Sequence, residues 1–223
     1  MKLRKFTNKF RRYVHLDEIF TAGNTKVFYR AKFDGGGSSF GQDFFKVFEF
    51  LNLTPTGHVL EWCAGPGFIG FKVLDFYKVE SLTLFDVNKE LKRVIDKTII
   101  SNRLCNVNFQ IGSTISKAFN SKFNLVIANP PHFSKTNDAS YISVNRQRVI
   151  DLNWESMNEF LLNIHHYMFD NSLVLLQMNS KGSKPEDFFD MIKRGNLILK
   201  NLIDSKNIES SDKNMYFMVL KKA

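Results

Sequence analysis

From His58 onward the chain alternates between two kinds of apolar pattern. Short, nearly continuous apolar runs fall at 58–62, 81–85, 107–111, 124–128 and 173–178, and longer segments of helical spacing separate them. Runs of that kind fit strands buried on both faces, as in a parallel sheet covered by helices. The glycines between Gly65 and Gly70 turn the chain into a helix reaching Tyr77. Further helices are predicted over 89–102, 154–168 and 185–194, the last with Pro185 in its first turn, and a short one over 116–119. Two more strands, 197–204 and 215–220, close the pattern as an antiparallel pair. The whole predicts an α/β, Rossmann-like, seven-stranded, mostly parallel sheet with helices on both faces. Such sheets bind ligands beyond the carboxyl ends of their strands, at the switch in strand order.

Upstream, residues 1–32 read as a basic leader of one or two helices. Residues 33–41 read as a glycine-rich loop. A helix over 42–51 follows, whose apolar face is Phe44, Phe45, Val47, Phe48 and Leu51. Thr54-Pro55-Thr56-Gly57 is a turn. The expected organisation is an N-terminal extension, residues 1–50, and a catalytic domain, residues 51–223. The polar stretch 134–152 has no period and reads as a substrate-facing loop.

Composition narrows the function classes. The chain has 223 residues, 43% of them hydrophobic, and 23 phenylalanines, most of which must be core because that many exposed rings would aggregate. The first 32 residues hold nine cations (Lys2, Arg4, Lys5, Lys9, Arg11, Arg12, Lys26, Arg30 and Lys32) against Asp17 and Glu18. Of the net charge of +9, that segment therefore carries +7. With Phe6, Phe10 and Tyr13 interleaved, such an arm suits RNA, its cations on phosphates and its rings on bases. A solvated leader whose rings pack back on the domain fits the same residues. Cys63 and Cys105 have neither disulfide-framework nor metal-ligand spacing, so no metal is expected. No apolar run is long enough to span a membrane and no secretory signal is visible, so a cytoplasmic protein is expected.

The sharpest chemistry lies in Glu61-Trp62-Cys63-Ala64-Gly65-Pro66-Gly67-Phe68-Ile69-Gly70. Gly65-x-Gly67-x-x-Gly70 follows a strand and enters a helix, and Asp86 ends the next strand, where a carboxylate can take both hydroxyls of a ribose. Three readings fit: an S-adenosylmethionine site, a dinucleotide site, and a structural turn. Two details favour the first. Glu61 puts an anion where a pyrophosphate would be repelled but an ammonium and sulfonium welcomed, and Pro66 removes a backbone donor that a phosphate would use.

These residues resemble a known family. Glu61–Gly70 is similar to motif I of class I S-adenosylmethionine-dependent methyltransferases, in the small-domain group, and Leu82–Asp86 to their acidic second strand. Leu125-Val126-Ile127-Ala128-Asn129-Pro130-Pro131-His132 resembles the Asn-Pro-Pro-aromatic motif IV, with His132 where Tyr or Phe is usual. The resemblance covers about residues 33–180. It implies S-adenosyl-L-methionine held by Glu61, Cys63, Ala64, Gly65, Gly67, Gly70, Asp86, Val87, Ser113 and Asn129. It also implies a catalytic turn of Asn129, Pro130, Pro131 and His132, with His132, Phe133 and Arg148 contacting substrate. Ser113 stands where relatives often carry an acid near the adenine. The loop Asp34–Gln42 is similar to a segment that packs over the cofactor.

An Asn-Pro-Pro turn suits an amine. The Asn129 side-chain oxygen and the Pro130 carbonyl can accept both protons of a planar NH2, and two prolines hold those acceptors rigid. The expected activity is methyl transfer to an amino or amide nitrogen, on RNA first, with a protein glutamine or a small molecule as alternative acceptors. Arg148 could grip a phosphate or pair with Asp151. His165 and His166 read as packing and surface residues. A nicotinamide-dependent oxidoreductase and a non-catalytic RNA-binding module remain as rivals.

Overall fold

The computed structural model describes residues 17–34, 37–115, 119–134 and 150–223. Strands β3 (Gly57–Trp62), β4 (Val79–Asp86), β5 (Val107–Ile111), β6 (Phe123–Ala128), β7 (Met168–Asn179), β8 (Leu197–Asp204) and β9 (Met215–Lys222) form one sheet in the order β5-β4-β3-β6-β7-β9-β8. The first five run parallel; β9 is antiparallel to both β7 and β8. The seven-stranded sheet of the sequence analysis is therefore present, with its last two strands paired as expected.

Both faces of the sheet are buried along its central strands. Along β3, Val59 joins one core cluster and Leu60 and Trp62 the other. Along β6, Leu125 and Ile127 face one way, Val126 and Ala128 the other. Alternation of side-chain direction in a strand thus feeds two cores at once, which explains the continuous apolar runs. One face is covered by helices α1 (Gly37–Phe50), α2 (Phe68–Phe76) and α3 (Lys92–Ser101); their buried members include Phe44, Phe48, Phe71 and Ile95. The other is covered by α4 (Glu155–Asn163) and α5 (Phe189–Arg194), where Phe160 stacks on Trp62 with ring centroids 4.0 Å apart.

Four expectations need correction. Residues 18–29 are not helical but an antiparallel hairpin, β1 (Glu18–Ala22) and β2 (Thr25–Tyr29), closed by Gly23 at φ +60° and Asn24. A buried contact explains it: Ala22 and Val27 sink into the core, and Phe20 and Tyr29 meet the Phe68 ring edge-on. Asp75 clamps the turn, accepting from the Asn24 amide and the Thr25 hydroxyl. Second, α1 begins at Gly37 rather than 42, so most of the expected loop is helix. Third, the helix expected over 154–168 is a 3-10 turn, α4 and a second 3-10 turn, and β7 starts at Met168. Fourth, the helix over 185–194 is α5 preceded by a 3-10 turn, Pro185–Phe188. Residues 1–16 with six of the leader's cations, most of the helix expected over 116–119, and most of the loop 134–152 with Arg146 and Arg148 lie outside the described residues.

Candidate functional site

Successive strands are laid outward from β3 in opposite directions, so the sheet's order reverses between β3 and β6. A cavity of about 270 Å³ opens there, at the carboxyl ends of β3, β4 and β6. Glu61, Cys63, Ala64, Gly65, Asp86, Val87, Ser113, Asn129, Pro130, Pro131 and His132 all line it. Three separate turns of sequence thus meet at one cleft. Gly67, Gly70 and Phe133 do not line it.

Gly67 and Gly70 act from behind the wall. Gly65 and Gly67 take φ of +53° and +84°, and Cys63 takes +56°, so the chain reverses within a few residues of leaving β3. Gly70 lets α2 approach the strand. A methyl group there would lie 2.5 Å from Glu61 Oε2, whereas hydrogen lets the Gly70 amide donate to that oxygen at 2.7 Å. Helix α2 is thereby fixed to the strand-end acid, its N-terminus beside the cleft.

Glu61 is buried, and burial pushes its carboxyl up to about 8; the Gly70 and Ile69 amides oppose that shift, and the charge on Asp86 adds to it. Asp86 accepts from the Gly65 amide and the Asn88 amide, each at 2.8 Å, which locks the β4 carboxylate against the glycine turn. Burial, with the charges of Asp86, Asp151 and Glu61 adding to it, pushes the Cys63 thiol up as well. A cation entering this apolar-walled cleft would meet the Asp86 carboxylate and favour the ionised form of Glu61, so the cleft suits a cationic ligand.

Across the cleft stands the β6 turn. Asn129 Oδ1 is buried and has no hydrogen-bond partner among the described residues. A buried amide oxygen left unpaired costs about 1–3 kcal/mol, so a donor arriving in the cleft would be strongly favoured at that atom. His132 Nδ1 is also buried and unpartnered among the described residues. Burial drives the His132 ring down to about 4, against the pull of Asp212, so the imidazole is neutral at physiological pH.

Several parts of the cleft lie outside the residues predicted from the sequence. Phe33 and Leu91 contribute apolar wall, and Ile150 and Ser156 the side next to α4. Asp151 is buried and caps α4, accepting from the Ser156 and Met157 amides at 2.9 and 2.8 Å. Phe133 is buried in a wall behind the cleft and bridges Ile150. Gly182 presses on this turn; a methyl group on it would lie 2.2 Å from the His132 carbonyl oxygen. Only the Asp151 cap had a sequence signal, an acid shortly before a helix. His165 and His166 sit away from the cleft, their rings 3.8 Å apart. Among the described residues no group of His, Cys, Asp and Glu could hold a metal, and no helix is long and apolar enough to cross a membrane.

With this geometry in view, residues 19–149 match the family model described as methyltransferase small domain. The chain belongs to the methyltransferase small domain family. That match begins inside the hairpin and includes all three turns at the cleft. Solved structures agree at the level of fold. An S-adenosylmethionine-dependent methyltransferase from Clostridium acetobutylicum aligns over 100% of both chains at 11% identity and a TM-score of 0.61. The ribosomal protein L11 methylase of Lactobacillus delbrueckii subsp. bulgaricus aligns over 84% of this chain and 80% of its own, at 10% identity and a TM-score of 0.58. A Pyrococcus horikoshii protein, whose assignment as an RNA methyltransferase is itself provisional, aligns over 85% and 84%, at 16% identity and 0.57. No curated protein matches the sequence.

Proposed function

We propose that this member of the methyltransferase small domain family is an S-adenosylmethionine-dependent N-methyltransferase whose acceptor is a planar amino nitrogen, on RNA. The observation that carries the reading is the unpartnered Asn129 Oδ1 in the same cleft as Glu61 and Asp86. The residues suit the cofactor: two acids for a cationic ligand with a ribose, a tight glycine turn, and the exposed Val87 and Ser113 at the rim on the adenine side. Bound S-adenosylmethionine supplies a methyl group already activated by its sulfonium charge. In this reading Glu61 faces the methionine ammonium, and Asp86 takes the ribose hydroxyls while its other lone pairs hold Gly65 and Asn88 in place.

Asn129 Oδ1 and the Pro130 carbonyl accept the two acceptor protons, hold the nitrogen lone pair toward the donor and stabilise the positive charge that develops on it. No strong base is needed. His132, neutral in its buried position, offers a flat face to the acceptor without placing a competing cation beside it. RNA is favoured over a small molecule by the charge distribution, +7 in the first 32 residues. A dinucleotide oxidoreductase is disfavoured by Pro66, which removes a backbone donor that a pyrophosphate would use.

The test is incubation with methyl-labelled cofactor and fractionated cell extract. Label in RNA, retained through nuclease digestion on a methylated nucleoside amine, is the expected result. Label in protein or small molecules moves the acceptor, and no transfer to any fraction contradicts the enzyme reading.

A further inference from the structure

A second, shallow surface lies next to the cleft, along α3 and the turn leading into it, with Arg30 after β2 at its edge. Arg30, Lys89, Lys92, Arg93 and Lys97 line it, against Glu90 and Asp96. Some of these cations are committed: Arg30 and Lys97 to Asp17, and Lys92 to Asp96. Lys89 and Arg93 are exposed and have no ion pair among the described residues. The positive field reaches further, since Arg93 helps hold the Asp17 carboxyl below the usual range, after Lys97 and Arg30.

The cations are ordered. Arg93 and Lys97 are four residues apart on α3, about 6 Å along one side of the helix, and Lys89 stands four residues before Arg93 in the 3-10 turn leading into it. The groove also shares a wall with the cleft. In the turn 88–91, Lys89 and Glu90 face the groove, while Asn88 and Leu91 line the cleft. Asp17, which Lys97 and Arg30 anchor at this groove, follows directly on the segment containing six of the leader's cations.

We propose that this groove binds the phosphate backbone of single-stranded RNA and runs it past the mouth of the cleft. The proposal rests on the RNA reading above and gives it a surface that the catalytic motifs do not contain. A regular row of cations matches a backbone with one charge per residue. A single strand also suits a cleft that must take a base amine out of any stack.

The experiment is fluorescence anisotropy of the full chain with labelled oligouridylate over a salt series, comparing wild type with the double variant Lys89→Gln, Arg93→Gln. Losing two phosphate contacts should flatten the plot of log affinity against log salt by ~1.4 and weaken binding ~20-fold at about 0.1 M salt. Calorimetric affinity for S-adenosylhomocysteine should be unchanged, which shows the variant folded. Equal affinity and slope in wild type and variant would overturn the groove. So would polyglutamate binding as tightly as RNA with the same sensitivity to the variant, because the occupant would then be an acidic protein. The acceptor reading is judged separately: RNA methylation without this loss removes the groove alone, and the loss without RNA methylation removes the acceptor alone.

Discussion

Glu61 sits between opposing demands. Burial keeps its proton on up to about pH 8, while a cation in the cleft would favour the ionised form. Binding a cationic cofactor should therefore release a proton, and affinity should rise with pH until about 8 and then level off. Calorimetry in buffers of different ionisation enthalpy would measure both. Folding has the opposite sign. The folded-state value lies above the unfolded 4.5, so the native state binds the extra proton between the two values. Glu61's contribution to stability is complete below about 4.5 and is lost as pH rises through about 8. Glu61→Gln, which still accepts from the Gly70 amide, should remove that slope in urea denaturation and weaken the cofactor. The proposed role of Asn129 separates chemistry from binding: Asn129→Ala should raise the methyl-transfer barrier by about 2–4 kcal/mol in single-turnover kinetics while leaving cofactor affinity nearly unchanged. Asp86→Ala should do the reverse, because Asp86 holds the glycine turn and, in the proposed reading, takes the ribose hydroxyls.

Turns, more than strands, decide the cleft, and they differ in how readable they are. Strands Val107–Ile111 and Leu197–Asp204 match their sequence boundaries. β7 starts earlier than its apolar run because the polar Asp170, Asn171 and Ser172 interrupt the hydrophobic pattern between Met168 and Leu173. The hairpin carried a signal, Gly23-Asn24 between alternating residues, but the cations around it obscured the pattern. Helix α1 extends into a Gly/Ser segment of poor helix propensity, with the buried Phe44 and Phe48 anchoring its later turns. Glu61, Asp86 and Asn129 were readable since each closes a strand. Gly182 and Asp212 were not, since they reach His132 only through the fold. Gly182→Ala should shift the His132 carbonyl, costing about 1–3 kcal/mol of stability. It should also lower kcat more than it changes cofactor affinity, a split that a general loss of packing would not give.

At the scale of the molecule, the hairpin and α1 share one core with β3, β4, β6 and α2. Ala22, Val27, Phe44, Val47 and Phe48 are all buried in the cluster that contains Val59, Leu82 and Leu125. A chain beginning at residue 51 should fail to fold cooperatively. One beginning at residue 17 should keep its thermal transition while losing the share of RNA affinity and salt dependence that the six leader cations carry, as circular dichroism and anisotropy would report. The central claim is geometric: the acids of β3 and β4 hold the methyl donor within reach of an amine seated at the β6 turn. The most direct measurement is a crystal structure with S-adenosylhomocysteine. Its ribose should lie on Asp86 and its sulfur should face Asn129, with room for a nitrogen hydrogen-bonded to Oδ1 and about 3–3.5 Å from the methyl position. A ligand bound elsewhere, or with its sulfur turned away from Asn129, would contradict the account.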